Sequence, residues 1–548
     1  MKLGVIVDSK RVSKENYELL NWIQDQVDIE LSLLIIQNLD SSITKARIQY
    51  GGIKVSLRKI LFRFLSQIDK YLSSKINKKF NYKEEEFYIK NKFKEIILIK
   101  PEVSRSGYVF RYQKEDIEKI KNFDLDLLLR MGSGILRGEI LNSCLYGILS
   151  FHHADNNLNR GGPEGFWEVF EKKESTGFTI QILTEELDGG NVLKKGNFHT
   201  QPTYSLNKFN LSRNSYLFMR KLLSEIAKNN SLPETIDPLP YSKKLYKVPS
   251  IKRQLSYLLY VVNYFLSKFY KRIILKKFFR WGVSFTFSNW KNAVLHKSIS
   301  LKNPKNCFLA DPFVIENYGR YFCFVENYSF IQKKGNISVY ELENNKAKYL
   351  GESINEKFHL SYPFVFKYLD DFYMLPESSQ NKDLRLYKSE KFPLEWKLER
   401  VLFENVNACD GTIFHHKDKW WLFVTKSCSD SLETNSQLFA YFSDNPVSSE
   451  WIEHTKNPVV CDSSSGRMGG LLTDENNIYL VLQKQGFNMY GKSSSIFRIQ
   501  ELTENDFERE YVCEITPDFS DDVIATHHFN SFKNCTVFDY LKEEHINF

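Results

Sequence analysis

Four stretches in the C-terminal half repeat one design. ADPFVIENYGRYFCFVE begins at Ala310, SYPFVFKYLDDFYMLPES at Ser361, CDGTIFHHKDKWWLFVTK at Cys409 and RMGGLLTDENNIYLVLQ at Arg467. Each has a turn, an apolar strand, a polar hairpin tip and a second aromatic strand. The starts lie 51, 48 and 58 residues apart. Paired strands at a period of about 50 residues are the signature of β-propeller blades, none of which can bury its faces alone. HHFNSFKNCTVFDYL, from His527, reads as a fifth unit. The spacing therefore predicts an all-β five-bladed propeller over residues 281–548. An aromatic content of 15%, mostly Phe and Tyr, suits such a sheet-rich half.

Residues 1–235 follow another grammar. Apolar runs at 2–7, 29–36, 95–100, 125–131 and 147–152 alternate with helical spacing, as at 13–25. That alternation predicts an open, Rossmann-like α/β sheet, so the whole chain reads as multidomain. The 548 residues allow full cores without disulfide or metal staples. With 42% hydrophobic and 26% charged residues, global disorder is excluded. The eight Cys form no C-x-x-C pair, which excludes a zinc ribbon or thioredoxin motif. A reduced, cytoplasmic chain with no bound metal is expected. The first apolar run is too short for a secretory signal and reads as a strand. No stretch reaches the roughly 18 apolar residues of a membrane span. A net charge of +8 is modest for this length, and no nucleic-acid partner is expected.

Two segments stand apart. Residues 251–280 hold eight Lys or Arg and no acid; residues 54–79 hold eight and one acid, Asp69. Both read as basic helices with a broad apolar face. They make a helical insertion near 54–80 and an amphipathic linker over 236–280. Such helices either lie peripherally on an anionic inner membrane face or pack their apolar face on protein.

Residues 127–193 carry the chemistry. A strand over 147–151 delivers His152 at its C-terminal end, the edge where open α/β sheets bind ligands. A loop with Arg160, Gly161, Gly162 and Pro163 follows, then a helix near Gly165, then a strand over 176–183 leading to Leu187-Asp188-Gly189-Gly190. His152 and Asp188 can therefore meet in one crevice, the Asp orienting the imidazole for acid–base work. Gly132-x-Gly134-x-x-x-Gly138 lacks the P-loop Lys-Ser/Thr and the Rossmann spacing, so it reads as a tight turn.

These residues resemble the catalytic domain of the N10-formyltetrahydrofolate-dependent formyltransferases, which include methionyl-tRNA formyltransferase and the sugar N-formyltransferases. The resemblance rests on Ser150-Phe151-His152, Arg160-Gly161, Phe166-Trp167, Thr176-Gly177-Phe178-Thr179 and Asp188-Gly189-Gly190-Asn191-Val192, in matching order over roughly 70 residues. It implies His152, Asp188 and Ser150 as catalytic residues. It implies a donor, N10-formyltetrahydrofolate, against Arg130, Gly132, Gly134, Ile135, Leu136, Leu187 and Asp188. It places the acceptor near His153, Asp155, Arg160, Gly161 and Trp167. One position departs: the family's Asn, an oxyanion donor, is Ser150 here. Losing one such donor costs about 3–4 kcal/mol. Either the hole is rebuilt, with His153 as the candidate, or the activity is altered or lost.

The repeats resemble five-bladed propellers of the glycosidase type. They resemble more closely the propeller that precedes the transferase domain in glucosamine inositol phosphorylceramide transferases. That resemblance puts Asp311, Glu326, Glu377 and Asp410 at the central cavity. Two carboxylates flanking a sugar suit glycoside hydrolysis. The expected activity is formyl transfer to the amine of a nucleotide- or lipid-linked amino sugar in surface-glycan (lipopolysaccharide) biosynthesis. The alternative is a propeller glycosidase or glycan-binding protein with a degenerate formyltransferase domain.

Overall fold

The computed structural model describes residues 1–548 except 40, 78–79, 81–84, 238, 276, 345, 428–430 and 546–548; for 41–56, 272 and 545 it describes the backbone alone. Parts of both basic segments, the side chains of 54–56 and 272 and residues 78–79 and 276, thus lie outside the described residues. The chain divides into two units, Met1–Val262 and Asn263–Phe548.

The first unit is built on a seven-stranded sheet. Its strands are β1 (Lys2–Val7), β2 (Glu30–Gln37), β3 (Glu95–Ile99), β4 (Leu127–Arg130), β5 (Ile148–His152), β6 (Ser175–Ile182) and β7 (Asn191–His199). They lie in the order β7-β6-β5-β4-β1-β2-β3. The five from β5 to β3 are parallel; β6 runs antiparallel to them, and β7, antiparallel to β6, runs in their direction again. The central runs are apolar throughout because helices cover both faces of a parallel sheet. Val5, Ile6, Leu33, Leu34, Ile35, Leu127 and Leu128 are fully buried. The helices are α1 (Lys14–Gln24), α2 (Ser41–Ile76), α3 (Lys114–Lys121), α4 (Phe166–Phe170), α5 (Tyr204–Asn229) and α6 (Ile251–Phe269), whose residues from Asn263 on belong to the second unit. The chain leaves β1 for β2 on one side and returns to β4 on the other. This switch point opens a crevice beyond the C-terminal strand ends, where Asp8, Arg130 and His152 emerge.

The second unit is five antiparallel sheets. Their innermost strands are Cys307–Asn317, Ser361–Tyr368, Ala408–His416, Arg467–Thr473 and Phe529–Phe532, and each touches the next in a closed ring. The last sheet pairs Lys277–Thr286 from the start of the unit with Cys535–His545 from its end. That closure removes the free edges a linear stack would expose. It also corrects the expected helix over 251–280. The helix stops at Phe269 and a π-helical turn covers Tyr270–Ile274. Lys277 onward is a strand because it zips onto the C-terminal strand, with Arg280 donating to Cys307 O and Pro304 O.

The repeat seen in the sequence is a repeated bulge. Pairing slips at Ala310/Phe313, Ser361/Phe364, Cys409/Thr412 and Met468/Gly470. The residue at the slip has φ of 49° in Asp311, 47° in Tyr362, 54° in Asp410 and 137° in Gly470. Such bulges re-aim one side chain out of the ladder.

Candidate functional site

β5 ends at His152, and the following loop folds back over the strand end. His152 Nε2–H donates to Asn159 O at 2.7 Å, which selects the tautomer and turns Nδ1 toward Asp188 Oδ1, 3.5 Å away. Asp188 Oδ2 accepts from the Gly161 N–H at 2.9 Å. The Arg160-Gly161 and Asp188-Gly189-Gly190 motifs are thus parts of one structure. Two glycines permit it. A Cβ on Gly161 would lie 2.3 Å from Tyr246 O, and one on Gly190 2.2 Å from Ile182 O.

Ser150 lies opposite Arg130 in the β4–β5 register. Its hydroxyl is buried and accepts from Arg130 Nη1 at 3.2 Å. Arg130 Nη2 donates to Gly134 O, and among the described residues its Nε–H has no partner. Burial lowers the proton affinity of this guanidinium, and Asp188 and Asp8 oppose the shift. Among the described residues no carboxylate lies within ion-pair distance of it. Arg130, His152 and Asp188 open on one cavity of about 350 Å³, walled also by Phe151, Gly161, Pro163, Glu164 and Lys208.

Not every expected acceptor residue faces this cavity as a free group. His153 lines it, but its ring stacks on Phe151 at 5.0 Å and its Nδ1 pairs with Glu164 at 3.1 Å. Burial alone would raise the Glu164 carboxyl, but Lys208, at 2.5 Å, and His153 hold it well below the usual carboxylate range. Asp155 and Trp167, also expected near the acceptor, do not line this cavity. They line a separate pocket of about 130 Å³. Asp155 is drawn to Lys195 at 2.5 Å, and Trp167 packs on Phe166 and Phe170, its indole N–H donating to Gly162 O. Arg160 donates to Asn156 O and stacks over Tyr241.

A larger cavity of about 820 Å³ lies beside the sheet end. It is walled by Gly138, Glu139, Leu141, Leu145, Tyr146, Ile182, Leu183 and Glu185 among others. Gly132, Gly134, Ile135, Leu136 and Leu187, expected at the donor, line neither this cavity nor the one at His152. Leu136 is buried against Phe110 and Ile140 in the core. Gly132 is pressed against Asp8 and Gln37. Ile135 pairs with Val109 in a small side sheet.

In the propeller, Asp311, Glu326, Glu377 and Asp410 are all buried at the inner ends of their strands. Rather than standing free, they are tied to partners outside their own strands. Arg467 Nε meets Asp410 Oδ2 at 2.6 Å and its Nη2 meets Glu377 Oε2 at 3.2 Å. Gln483 donates to Asp410 at 3.1 Å, and Ser379 donates to Glu377 at 2.5 Å. His527 lies between Asp311 (Nε2, 3.1 Å) and Asp539 (Nδ1, 2.9 Å). One ring nitrogen lies near each carboxylate, although Nδ1 and Asp539 Oδ2 are not aligned for a hydrogen bond. Burial and the nearby Asp311 and Glu377 carboxylates push Glu326 well above the usual carboxylate range. Arg467 was legible as the one cation opening a repeat, and His527 as the first residue of the fifth unit. Their partners were not legible, because those pairs form across blades.

This network predicts a pH signature. Burial alone would lower His527, but Asp539 and Asp311 raise it to about 10 from the ordinary 6.5. Its stabilising contribution is complete below 6.5 and is lost as pH rises through about 10. Burial lowers His528 to about 4, so its contribution is lost as pH falls from 6.5 through 4. Propeller stability measured by denaturant titration should therefore decline on both sides of neutrality. The His527→Gln variant should lose the alkaline decline. An unchanged alkaline limb in that variant would mean that His527 is not the bridging cation.

Similarity to known proteins follows the same division. The family described as glucosamine inositolphosphorylceramide transferase 1, N-terminal, matches residues 284–531. Glucosamine inositolphosphorylceramide transferase 1 of Oryza sativa subsp. japonica is 36% identical over 210 residues, 37% of this chain and 28% of that protein. The Arabidopsis thaliana protein of the same name is 35% identical over 209 residues, 37% of this chain and 27% of its own length. The chain therefore spans under a third of these plant relatives. Methionyl-tRNA formyltransferase of Bacillus subtilis is 30% identical over 145 residues, 26% of this chain and 44% of that enzyme. Among solved structures, a family 117 glycoside hydrolase of Zobellia galactanivorans is 11% identical, with a TM-score of 0.32 over 48% of this chain and 91% of that one. A thermostable family-43 glycoside hydrolase is 16% identical, with a TM-score of 0.34 over 44% of this chain and 91% of that one. The five blades rest on the strand pairing described above. The relatives just named in the sequence comparison carry transferase names, two for glucosamine inositolphosphorylceramide transfer and one for formyl transfer.

Proposed function

We propose that the first unit transfers a formyl group from N10-formyltetrahydrofolate to the amine of a nucleotide- or lipid-linked amino sugar. The observation that carries this reading is the convergence of His152, Asp188 and Arg130 on one cavity beyond the sheet end. Similarity to methionyl-tRNA formyltransferase supports the donor, and the larger cavity beside Leu141 and Leu183 has the size and apolar wall for it. Similarity to proteins named for glucosamine transfer supports a sugar acceptor.

The amine nitrogen attacks the formyl carbon and the carbonyl oxygen takes the charge. The amine then sheds a proton, and the bond from the formyl carbon to the donor nitrogen breaks as that nitrogen gains one. His152 Nδ1 is the face that takes the first proton and returns the second, since Nε2 is committed to Asn159 O. Asp188 orients the ring and balances the imidazolium. Arg130 replaces the amide absent at Ser150: its guanidinium is charged, partly unpartnered and held by Ser150 and Gly134. The rival reading is glycoside cleavage in the propeller. The engagement of Glu377 and Asp410 by Arg467 counts against it.

The test is incubation with N10-formyltetrahydrofolate and a panel of nucleotide-linked amino sugars, following tetrahydrofolate release and a product heavier by one CO. The Arg130→Ala variant should lower kcat by about 10²–10³-fold, as for a lost oxyanion donor. Arg130→Lys should recover only part, because an ammonium cannot reproduce a planar, multiply held fork. Transfer at the wild-type rate in Arg130→Ala would remove Arg130 from the chemistry. Absence of transfer to every acceptor by soundly folded protein would overturn the formyl assignment.

A further inference from the structure

Two helices carry a second apolar stripe that the fold leaves bare. On one side α6 buries Gln254, Tyr257, Val261 and Tyr264. On the other, Leu255, Leu259, Val262, Leu266 and Phe269 recur at helical spacing and are 57%, 64%, 40%, 59% and 61% exposed. α2 repeats the pattern. It buries Phe62, Leu65, Asp69 and Ser73 and exposes Leu57, Ile60, Phe64 and Tyr71. A surface helix of a globular protein ordinarily hides one apolar stripe and turns polar residues outward.

Charge singles out what meets these stripes. α6 contains no acid, and α2 contains one, Asp69. Asp69 is turned inward, accepting from Tyr257 Oη at 2.6 Å and Ser205 N at 2.7 Å. The outward faces therefore combine apolar side chains with Lys and Arg, such as Arg63 and Lys252, and no carboxylate. A protein partner matching two such stripes would need its own apolar surface ringed by acids. An anionic bilayer offers both features at once, acyl chains beneath negative headgroups. Among the described residues no helix is long and apolar enough to cross a membrane, so the helices would lie in the interface.

We infer that α2 and α6 seat this protein on an anionic lipid surface. The inference is independent of the formyl-transfer reading. It is tested with the full chain by flotation with phosphatidylcholine vesicles, with and without phosphatidylglycerol. The protein should float with the anionic vesicles only, and less as salt rises to about 0.5 M, where screening shortens to a few ångströms. Leu259→Gln with Leu266→Gln should weaken binding by about tenfold or more while leaving the thermal midpoint in place, because both side chains are already exposed. Ile60→Gln with Phe64→Gln tests α2 in the same way, and Arg63→Glu with Lys252→Glu should abolish the anionic preference. Equal binding to neutral vesicles, no binding to anionic ones, or wild-type binding by both glutamine pairs would overturn the inference. So would a concentration-dependent dimer without vesicle binding that the Leu259 and Leu266 changes dissolve, since that would assign the face to a second copy.

Discussion

Replacing His152 by Ala lowers the formyl-transfer rate by about 10²–10⁴-fold, the range expected for removal of a positioned acid–base group. Only one nitrogen of this ring faces the cavity, because the other is committed to Asn159 O. No second imidazole stands ready, since His153 is stacked on Phe151 and paired with Glu164. Asp188→Asn tests the partner more finely. The amide oxygen can still accept from Gly161 N–H, so the loop geometry is kept while the charge that balances the imidazolium is lost. A fall in kcat with little change in KM would place Asp188 in transition-state stabilisation rather than in acceptor binding. Donor binding by calorimetry gives a second readout. If Asp188→Asn and His152→Ala bind the donor normally yet turn over slowly, the pair acts on chemistry. Unchanged turnover in both variants would move the reacting centre elsewhere.

Replacing Arg467 by Leu destabilises the propeller by about 3–5 kcal/mol, the cost of leaving a buried ionic partner uncompensated. Asp410 is 1% exposed and Glu377 7%, so neither can recover solvation without opening the inner strands. Gln483 would remain as Asp410's neutral donor and could not carry the charge. The measurement is the denaturant midpoint of the propeller transition. Adding Asp410→Asn to Arg467→Leu should restore part of the loss, because the stranded charge is then removed. A loss below about 1 kcal/mol would show these acids to be solvated, as surface pairs are. It would then remove the argument against glycoside cleavage in the propeller.

Both units were legible in outline because their signals are local. β1 coincides with the first apolar run, Lys2–Val7, and β5 ends on His152 as its run does. The repeat starts at Ala310, Ser361 and Cys409 fall where the inner strands slip in register. The basic segment reads as helix through to 280 because residues 277–280 are apolar and basic whether helical or extended. Their partners, such as Glu544 and Lys542, lie over 260 residues away.

What the sequence determined by itself was period and order: five units of two aromatic strands, an alternating α/β half, and the succession Ser150-x-His152, Arg160-Gly161, Asp188-Gly189-Gly190. Periodicity follows from which face of each element must leave water, and that is written residue by residue. Only the tertiary structure decided who neutralises whom. It put Arg130 beside Ser150, engaged His153 with Glu164, and closed the propeller carboxylates around Arg467 and His527. Buried charges must find partners, and the partner that satisfies each one is set by proximity in space across strands and blades, which spacing along the chain does not encode.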